Sequence, residues 1–164
     1  DIARNLALLF SVESVSGWFR RLGGAKVVMS EAVTRRIETA AGLVRRALRV
    51  ETTGGEYAGR FDADAFEDAE FAVRLSIEAR AYTETLAINE VVGRTRKQIE
   101  NTLEVVSEKL MADLKSGQAL DRRVVTEAVD GAIRLNALVF GEDFAGALRK
   151  SRDNWLAKPA TRAG

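Results

Sequence analysis

Apolar residues recur at helical spacing from the start of the chain to Leu22. They follow one another at intervals of four and three positions, so they share one face of a helix. A glycine pair, Gly23-Gly24, comes next, and glycine there is typical of a left-handed C-terminal cap. The pattern therefore predicts an amphipathic helix over residues 2–22. Its apolar stripe consists of Leu8, Val12, Val15, Trp18, Phe19 and Leu22.

Two interpretations of this first helix are open. It packs against the core of its own domain, or residues 1–24 form a docking arm that inserts into a partner subunit or lies on a membrane surface. The basic residues of the segment are few, namely Arg4, Arg20 and Arg21. Few basic residues favour a protein partner over a membrane, so we take the stripe as a candidate partner-binding surface.

A second helix is predicted to begin at Ser30-Glu31, where Ser is a suitable N-cap and an acid is favourable in the first turn. Its buried stripe is predicted to run from Val33 to Leu48. A basic face lies opposite, because its arginines are separated by nearly whole numbers of helical turns. This face is either solvated and salt-bridged or a contact for nucleic-acid phosphates or another anion. Its candidate binding residues are Arg35, Arg45, Arg46 and Arg49.

Residues 51–60 contain three glycines without periodicity and are predicted to form a loop. Five acids follow in close succession, from Asp62 to Glu70. Asp64 and Glu67 have the spacing of a capping box, which explains part of this acidic cluster. A metal ion or a basic partner is the alternative explanation for the rest.

Residues 64–115 form the central element of the predicted fold, with no Pro and one Gly, Gly93. Residues 71–79 alternate with period two, as a strand does, but no second alternating run exists to pair with them, so we predict helix. On a helix the same pattern gives two opposed apolar stripes, one of them beginning at Phe71, and predicts burial on both sides. An unbroken helix of this length would measure roughly 78 Å, whereas a compact domain of this size has a radius of gyration of only ~15 Å. We predict a break near Gly93, between residues 89 and 95; the alternative is a projecting end that pairs with another copy as a coiled coil.

The remaining pattern predicts a helix over residues 119–140 that stops at Gly141. A short last helix follows, with Phe144, Leu148 and Trp155 facing inward, and residues 158–164 are predicted to form a frayed tail. The predicted fold is an all-α bundle of about five helices in a single domain over residues 1–164.

The amino-acid composition excludes several kinds of catalytic and metal-binding site. The 164 residues include no Cys and no His, which excludes disulfides, thiolate metal sites, Ser-His-Asp triads and His ligands. The longest early apolar run, from Leu6 to Phe10, is far below the ~18 residues of a membrane span. We expect no catalytic residue, metal ligand or cofactor. The sequence does not identify a compartment, although a cytoplasmic one is favoured.

Two pairs of acids offer the strongest case for catalysis. Glu67-x-x-Glu70 and Glu127-x-x-Asp130 each place two carboxylates one helical turn apart, a geometry that can hold Mg²⁺ against a phosphate. The pairs are loosely similar to the acidic motifs of all-α nucleoside triphosphate pyrophosphohydrolases. That family keeps its pairs on consecutive helices, whereas most of the predicted central element lies between these two. A Mg²⁺-dependent phosphohydrolase is therefore one alternative function.

Charge is segregated along the chain although the net charge is only +1. Residues 1–50 carry +5, residues 51–92 carry −7 and residues 93–164 carry +3. Such polarity favours contacts between oppositely charged parts, within one subunit or between copies. We predict a non-catalytic structural or adaptor subunit that docks into a homo-oligomer or a larger protein assembly. A nucleic-acid-binding or regulatory module that uses the Arg35 to Arg49 face is the other alternative.

Overall fold

The computed structural model describes residues 2–50, 61–116 and 122–157; for residues 2–14 and 116 it describes the backbone alone. Most of the described residues are helical and none of them lies in a strand, so the all-α prediction is confirmed. The elements are α1 Ile2–Glu38, α2 Ala40–Ala47, α3 Ala63–Glu78, a 3₁₀ turn Ala79–Tyr82, α4 Thr83–Leu86, α5 Asn89–Ser116, α6 Arg122–Phe140 and α7 Glu142–Leu156.

The first two predicted helices are one continuous helix, so the predicted stop at Gly23-Gly24 and the N-cap at Ser30 are wrong. Glycine permits a left-handed cap without imposing one, and among the described residues the positive φ angles belong to Ala87 and Gly141. The Ser30 hydroxyl instead donates a hydrogen bond to the Leu86 carbonyl, 2.9 Å away. The helix is interrupted at Thr39, where α2 begins.

The buried stripe predicted beyond Ser30 is present. Ile37, Ala40, Val44 and Leu48 are buried, and Val33 is half-buried. The buried stripe stays on the same side of α1 and α2 across the interruption between them. The loop predicted over residues 51–60 lies outside the described residues.

Helix α3 begins slightly earlier than the predicted capping box. Asp62 is its N-cap, and its carboxylate accepts a hydrogen bond from the Ala65 amide at 2.9 Å. The strand alternative for residues 71–79 is wrong, because residues 71–78 lie within α3 and Ala79 begins the 3₁₀ turn. Two opposed buried stripes are not present either: Phe71 is exposed, and the buried face carries Phe66, Ala69 and Val73.

The break inside residues 64–115 is confirmed in kind but lies earlier than predicted. The chain tightens into the 3₁₀ turn after Glu78, and Ala87 adopts a left-handed conformation with φ 55°. This turn brings Ile88 and Val92 back against Ile37 in a small apolar cluster. Gly93 lies inside α5, where a cost of ~1 kcal/mol for a helical glycine is outweighed by burial of the neighbouring apolar face.

The main core lies between α2, α3, α5, α6 and α7. Its largest fully buried side chains include Leu48, Leu103 and Leu135. One polar pair is also buried there: the Asn136 amide donates to the Ser107 hydroxyl at 2.9 Å and to the Ala132 carbonyl at 2.7 Å. The bond to Ser107 joins α6 to α5 and favours one register between the two helices.

A second polar link joins α3 to α6. The Glu70 carboxylate is nearly buried and accepts hydrogen bonds from Arg74 on its own helix and from Arg134 across the interface. The Arg134 guanidinium also lies over the Phe66 ring, 5.3 Å from its centre. Burial of Glu70 is therefore compensated by two cations.

Helices α6 and α7 meet at Gly141, whose φ of 92° suits glycine, as the sequence predicted. Trp155 and Leu148 are half-buried, and the Arg122 guanidinium lies over the Trp155 ring. Phe144 is exposed, which corrects its predicted inward position, although its ring lies 5.0 Å from that of Phe140. Residues 158–164 lie outside the described part of the chain.

Candidate docking surface

Helix α1 is anchored to the rest of the fold through its C-terminal part. The Ser30 hydroxyl bonds to the Leu86 carbonyl, the Arg36 guanidinium pairs with Asp68 at 2.8 Å, and Ile37 is fully buried. All three contacts lie at or beyond Ser30. We call residues 2–29 of α1 the arm, and the remaining helices the body.

The arm carries the predicted stripe on its surface. The side chains of Val15, Trp18, Phe19 and Leu22 are between 51% and 60% exposed. Trp18 and Phe19 contact each other edge to face, with ring centres 5.3 Å apart. The structure thus brings these four predicted residues together on a solvent-facing surface. Leu8 and Val12 belong to the same sequence pattern, but their side chains lie outside the described part.

The stripe lies on the same side of α1 that the body covers farther along the helix. Val33 follows Val15 by five whole turns of the helix, and Ile37 follows Phe19 by the same interval, so each pair shares one face. Val33 and Ile37 are covered by the body, in a cluster with Leu86 and Ile88. The stripe is therefore the uncovered continuation of a face that is buried farther along the same helix.

Three further exposed apolar residues do not belong to the predicted stripe. Met29 extends it at the interval of two turns after Leu22, and this spacing is visible in the sequence. Val27 and Val28 lie on other sides of the helix and are also exposed. An isolated exposed valine is ordinary, but Met29 and the four exposed residues of the stripe share one side of the helix and form a patch of the kind that marks an interaction site.

The predicted basic residues occupy a different part of the molecule. Arg45 and Arg46 of α2 line an open cleft of about 710 Å³ between α2 and α5. Arg35 is exposed on the last turn of α1, and Arg49 is exposed just beyond α2; neither lines the cleft. Other residues around the cleft were not predicted and are mostly polar: Glu38, Thr39, Gln98, Asn101 and Thr102.

The electrostatics of this cleft are mixed. Glu38 at its margin pairs with Arg94 of α5 at 2.6 Å, so the acid of the described lining already has a cation beside it. Arg45 and Arg46 are exposed, and their guanidinium groups offer donors suited to phosphate or carboxylate. The cleft therefore has the chemistry of a weak anion site.

The two acid pairs do not form a metal site in the described residues. Glu70 is engaged by Arg74 and Arg134, Glu127 accepts from Arg123 at 3.0 Å, and Asp130 pairs with Arg152. No group of three or more acids placed to hold a metal ion occurs in the part of the chain that is described.

Arg152 lies between Asp130 and Asp153, and this position affects its ionisation. Partial burial alone would lower the pKa of Arg152, but hydrogen bonds and charge attraction from Asp153 and Asp130 raise the pKa above its ordinary value. The guanidinium therefore stays charged and keeps Asp130 engaged between α6 and α7.

Comparison of the chain with models of known protein families, with curated proteins and with solved structures finds no match. Among the described helices, none is long and apolar enough to cross a membrane.

Proposed function

We propose that this chain is a non-catalytic assembly subunit that associates with a protein partner through the apolar stripe of its arm. The observation that carries the proposal is the exposure of Val15, Trp18, Phe19 and Leu22 on a helix that extends beyond the body. At ~1.5 Å per residue, the 37 residues of α1 span roughly 55 Å. This length exceeds what the body covers, since its described contacts begin near Ser30.

The energetics favour coverage of the stripe. Burying apolar surface is worth about 25 cal/mol per Å², so a fully covered Trp or Phe contributes roughly 2–3 kcal/mol. Aromatic residues of this kind are the usual anchors of protein interfaces. The uneven charge of the chain adds long-range attraction to a partner of complementary charge.

The test is the mass of the protein in solution. Light scattering of the intact chain should give a mass well above 17.9 kDa, and deletion of residues 1–28 should reduce it to that of a single copy. The melting temperature of the truncated body serves as the control for folding, because its buried cores lie at or beyond Ile37. The proposal would be contradicted if the intact chain is already a monomer, so that the deletion lowers the mass only by that of the residues removed.

A second candidate function has one observation in its favour, the cleft lined by Arg45 and Arg46. In this alternative the chain is a nucleic-acid-binding or regulatory module, and the two guanidinium groups contact phosphates. Affinity for a fluorescent duplex oligonucleotide should then fall steeply with salt and with the double substitution Arg45→Ala, Arg46→Ala.

A matched control separates this site from general charge. The double substitution Arg20→Ala, Arg21→Ala removes the same charge from the arm, and it should leave the affinity nearly unchanged. Equal losses in both double variants would mean that the oligonucleotide responds to net charge and that the cleft is not its site.

A further inference from the structure

The arm repeats its apolar positions with a heptad period. Val12 and Phe19 share one core position of the repeat, where Lys26 is the exception, and Val15, Leu22 and Met29 share the other. Alternate spacings of three and four positions are those of a coiled coil, whose two helices bury such positions against each other. The arm thus has the pattern of a helix that pairs with another helix.

We call the two core positions of the repeat the seam. The residues beside the seam are compatible with a second copy of the same arm. Ser16, Trp18, Gly23 and Ala25 occupy the flanking positions, and all are uncharged. Arg20 and Arg21 lie on other faces of the helix, because at ~100° per residue each is far around the axis from Val15. Two arms can therefore meet without a row of like charges between them, and Lys26 is the cation that the seam contains between Val12 and Met29.

The exposed apolar area of the arm is more than half of what a stable dimer interface buries per partner. From the sizes of their side chains and their exposed fractions, the four exposed stripe residues and Met29 together expose roughly 500 Å² of apolar surface. A stable interface buries ~800 Å² per partner. Residues 2–14 continue the same helix and supply additional length for the contact.

The arm also needs a partner to be a stable helix. It contains Gly17, Gly23 and Gly24, and no neighbouring heavy atom lies within 4 Å of a Cβ built on any of them. Each glycine costs a helix up to ~1 kcal/mol, and helices that lack tertiary packing are marginal in water. Among the described residues, the contacts of the body with α1 lie at or beyond Ser30, so packing from another molecule is a source of stabilisation that the arm can use.

The position of the body determines the direction of pairing. In a parallel pair in register, each arm would continue beside its partner past Ser30, on the face where Leu86 and Ile88 already cover Val33 and Ile37. The two bodies would then compete for the space between the helices. In an antiparallel pair the bodies lie at opposite ends of the paired arms and do not compete for this space.

We infer that the arm pairs with the arm of a second copy as an antiparallel two-helix coiled coil. This inference rests on the proposed function and specifies the partner. Its interface contains the stripe, with Trp18 at the margin of the seam. The resulting dimer is elongated, with a body at each end of the paired arms.

The first experiment compares two substitutions on the same helix. Leu22→Glu places a carboxylate on the seam, whereas Val28→Glu places one about 120° around the helix, at an apolar side chain that is 66% exposed. In sedimentation equilibrium the intact chain should have twice the mass of 17.9 kDa. Leu22→Glu should raise the dimer Kd at least about 10-fold, and Val28→Glu should change it less than about 3-fold.

The second experiment measures direction with spin labels, and the lack of Cys in the chain allows single labels to be introduced cleanly. Labels at Arg20→Cys and at Val28→Cys report two positions about two helical turns apart. In an antiparallel pair the Val28 labels should be roughly 20 Å farther apart than the Arg20 labels, since both copies contribute ~1.5 Å per residue. A parallel pair would give similar distances at both positions.

The outcomes separate the inference from the function on which it rests. A mass above that of a dimer, equal label distances, or equal losses of dimer affinity in the two glutamate variants would overturn the antiparallel pair and leave the arm as an assembly surface. A monomer at every concentration, with or without residues 1–28, would overturn both.

Discussion

At Gly131 the backbone of α6 lies close to side chains of α3 and of Leu48, the C-cap of α2. A Cβ built there would lie 2.8 Å from an edge carbon of Phe66 and 3.2 Å from a methyl carbon of Leu48. Both neighbours are buried, so neither can move aside without disturbing the core. The lack of a side chain at this position is what allows the helices to approach.

We expect Gly131→Ala to lower the free energy of unfolding by about 1–3 kcal/mol, because overpacking outweighs the gain in helix propensity. Gly93→Ala is the matched control: it is also inside a helix, and no atom lies within 4 Å of a Cβ built at that position. That variant should be stabilised, by up to ~1 kcal/mol. Chemical denaturation of both variants checks the prediction, and two changes of the same sign would contradict it.

Individual residues were predictable where periodicity alone decides burial. Ile37, Val44 and Leu48 were placed correctly because one helical face must be covered by the core. Phe71 was not, because the alternating pattern of residues 71–79 allowed two apolar faces and α3 buries only one. Phe71 instead lies exposed, with the Arg36 guanidinium 5.5 Å from its ring centre. That contact depends on tertiary packing, which the local pattern does not record.

At the scale of elements, helix boundaries were the least predictable feature. Glycine predicts interruptions at Gly23-Gly24 and at Gly93, yet α1 and α5 run through these positions. The actual break places Ala87, a residue with no turn preference, in the left-handed region. There the return of Ile88 to the apolar cluster outweighs a local backbone cost, and such a balance cannot be read from the residue type.

The left-handed Ala87 gives a direct test of this balance. The side chain of a non-glycine residue costs roughly 1–2 kcal/mol in the left-handed region, so we expect Ala87→Gly to stabilise the protein by up to about 1 kcal/mol. Ala112→Gly, at an exposed position inside α5, should destabilise it by a similar amount. Thermal unfolding of the two variants distinguishes them, and destabilisation by Ala87→Gly would show that this turn gains nothing from glycine.

At the scale of the whole molecule, the candidate site was predictable in composition but not in arrangement. The stripe of residues 8–22 was identified from spacing, and its exposure from Val15 to Leu22 required knowledge of where the body ends. The arginines were grouped as one face, whereas the cleft includes Arg45 and Arg46 and leaves out Arg35 and Arg49. The cleft depends on where α5 lies beside α2, and spacing along one helix does not record the position of another.

The division of the molecule into arm and body predicts two different responses of amide hydrogen exchange to protein concentration. The buried amides of α5 and α6 belong to the core of one subunit, so their protection should not depend on concentration. Amides of residues 15–28 depend on helix formation by a glycine-containing segment, which is coupled to pairing. The exchange of these amides should slow as the protein concentration rises through the dimer Kd. The slowing should grow with the fraction of chains that are paired.

The Leu22→Glu and Val28→Glu variants provide the comparison within this measurement. Exchange in the arm of Leu22→Glu should remain fast at concentrations that protect the arm of Val28→Glu, while the bodies of both variants stay equally protected. Residues 30–38 should follow the body, because Ser30, Arg36 and Ile37 join them to it. Concentration-independent protection along the whole of α1 would mean that the arm is stable by itself, and the coupling between helix formation and association would then be wrong.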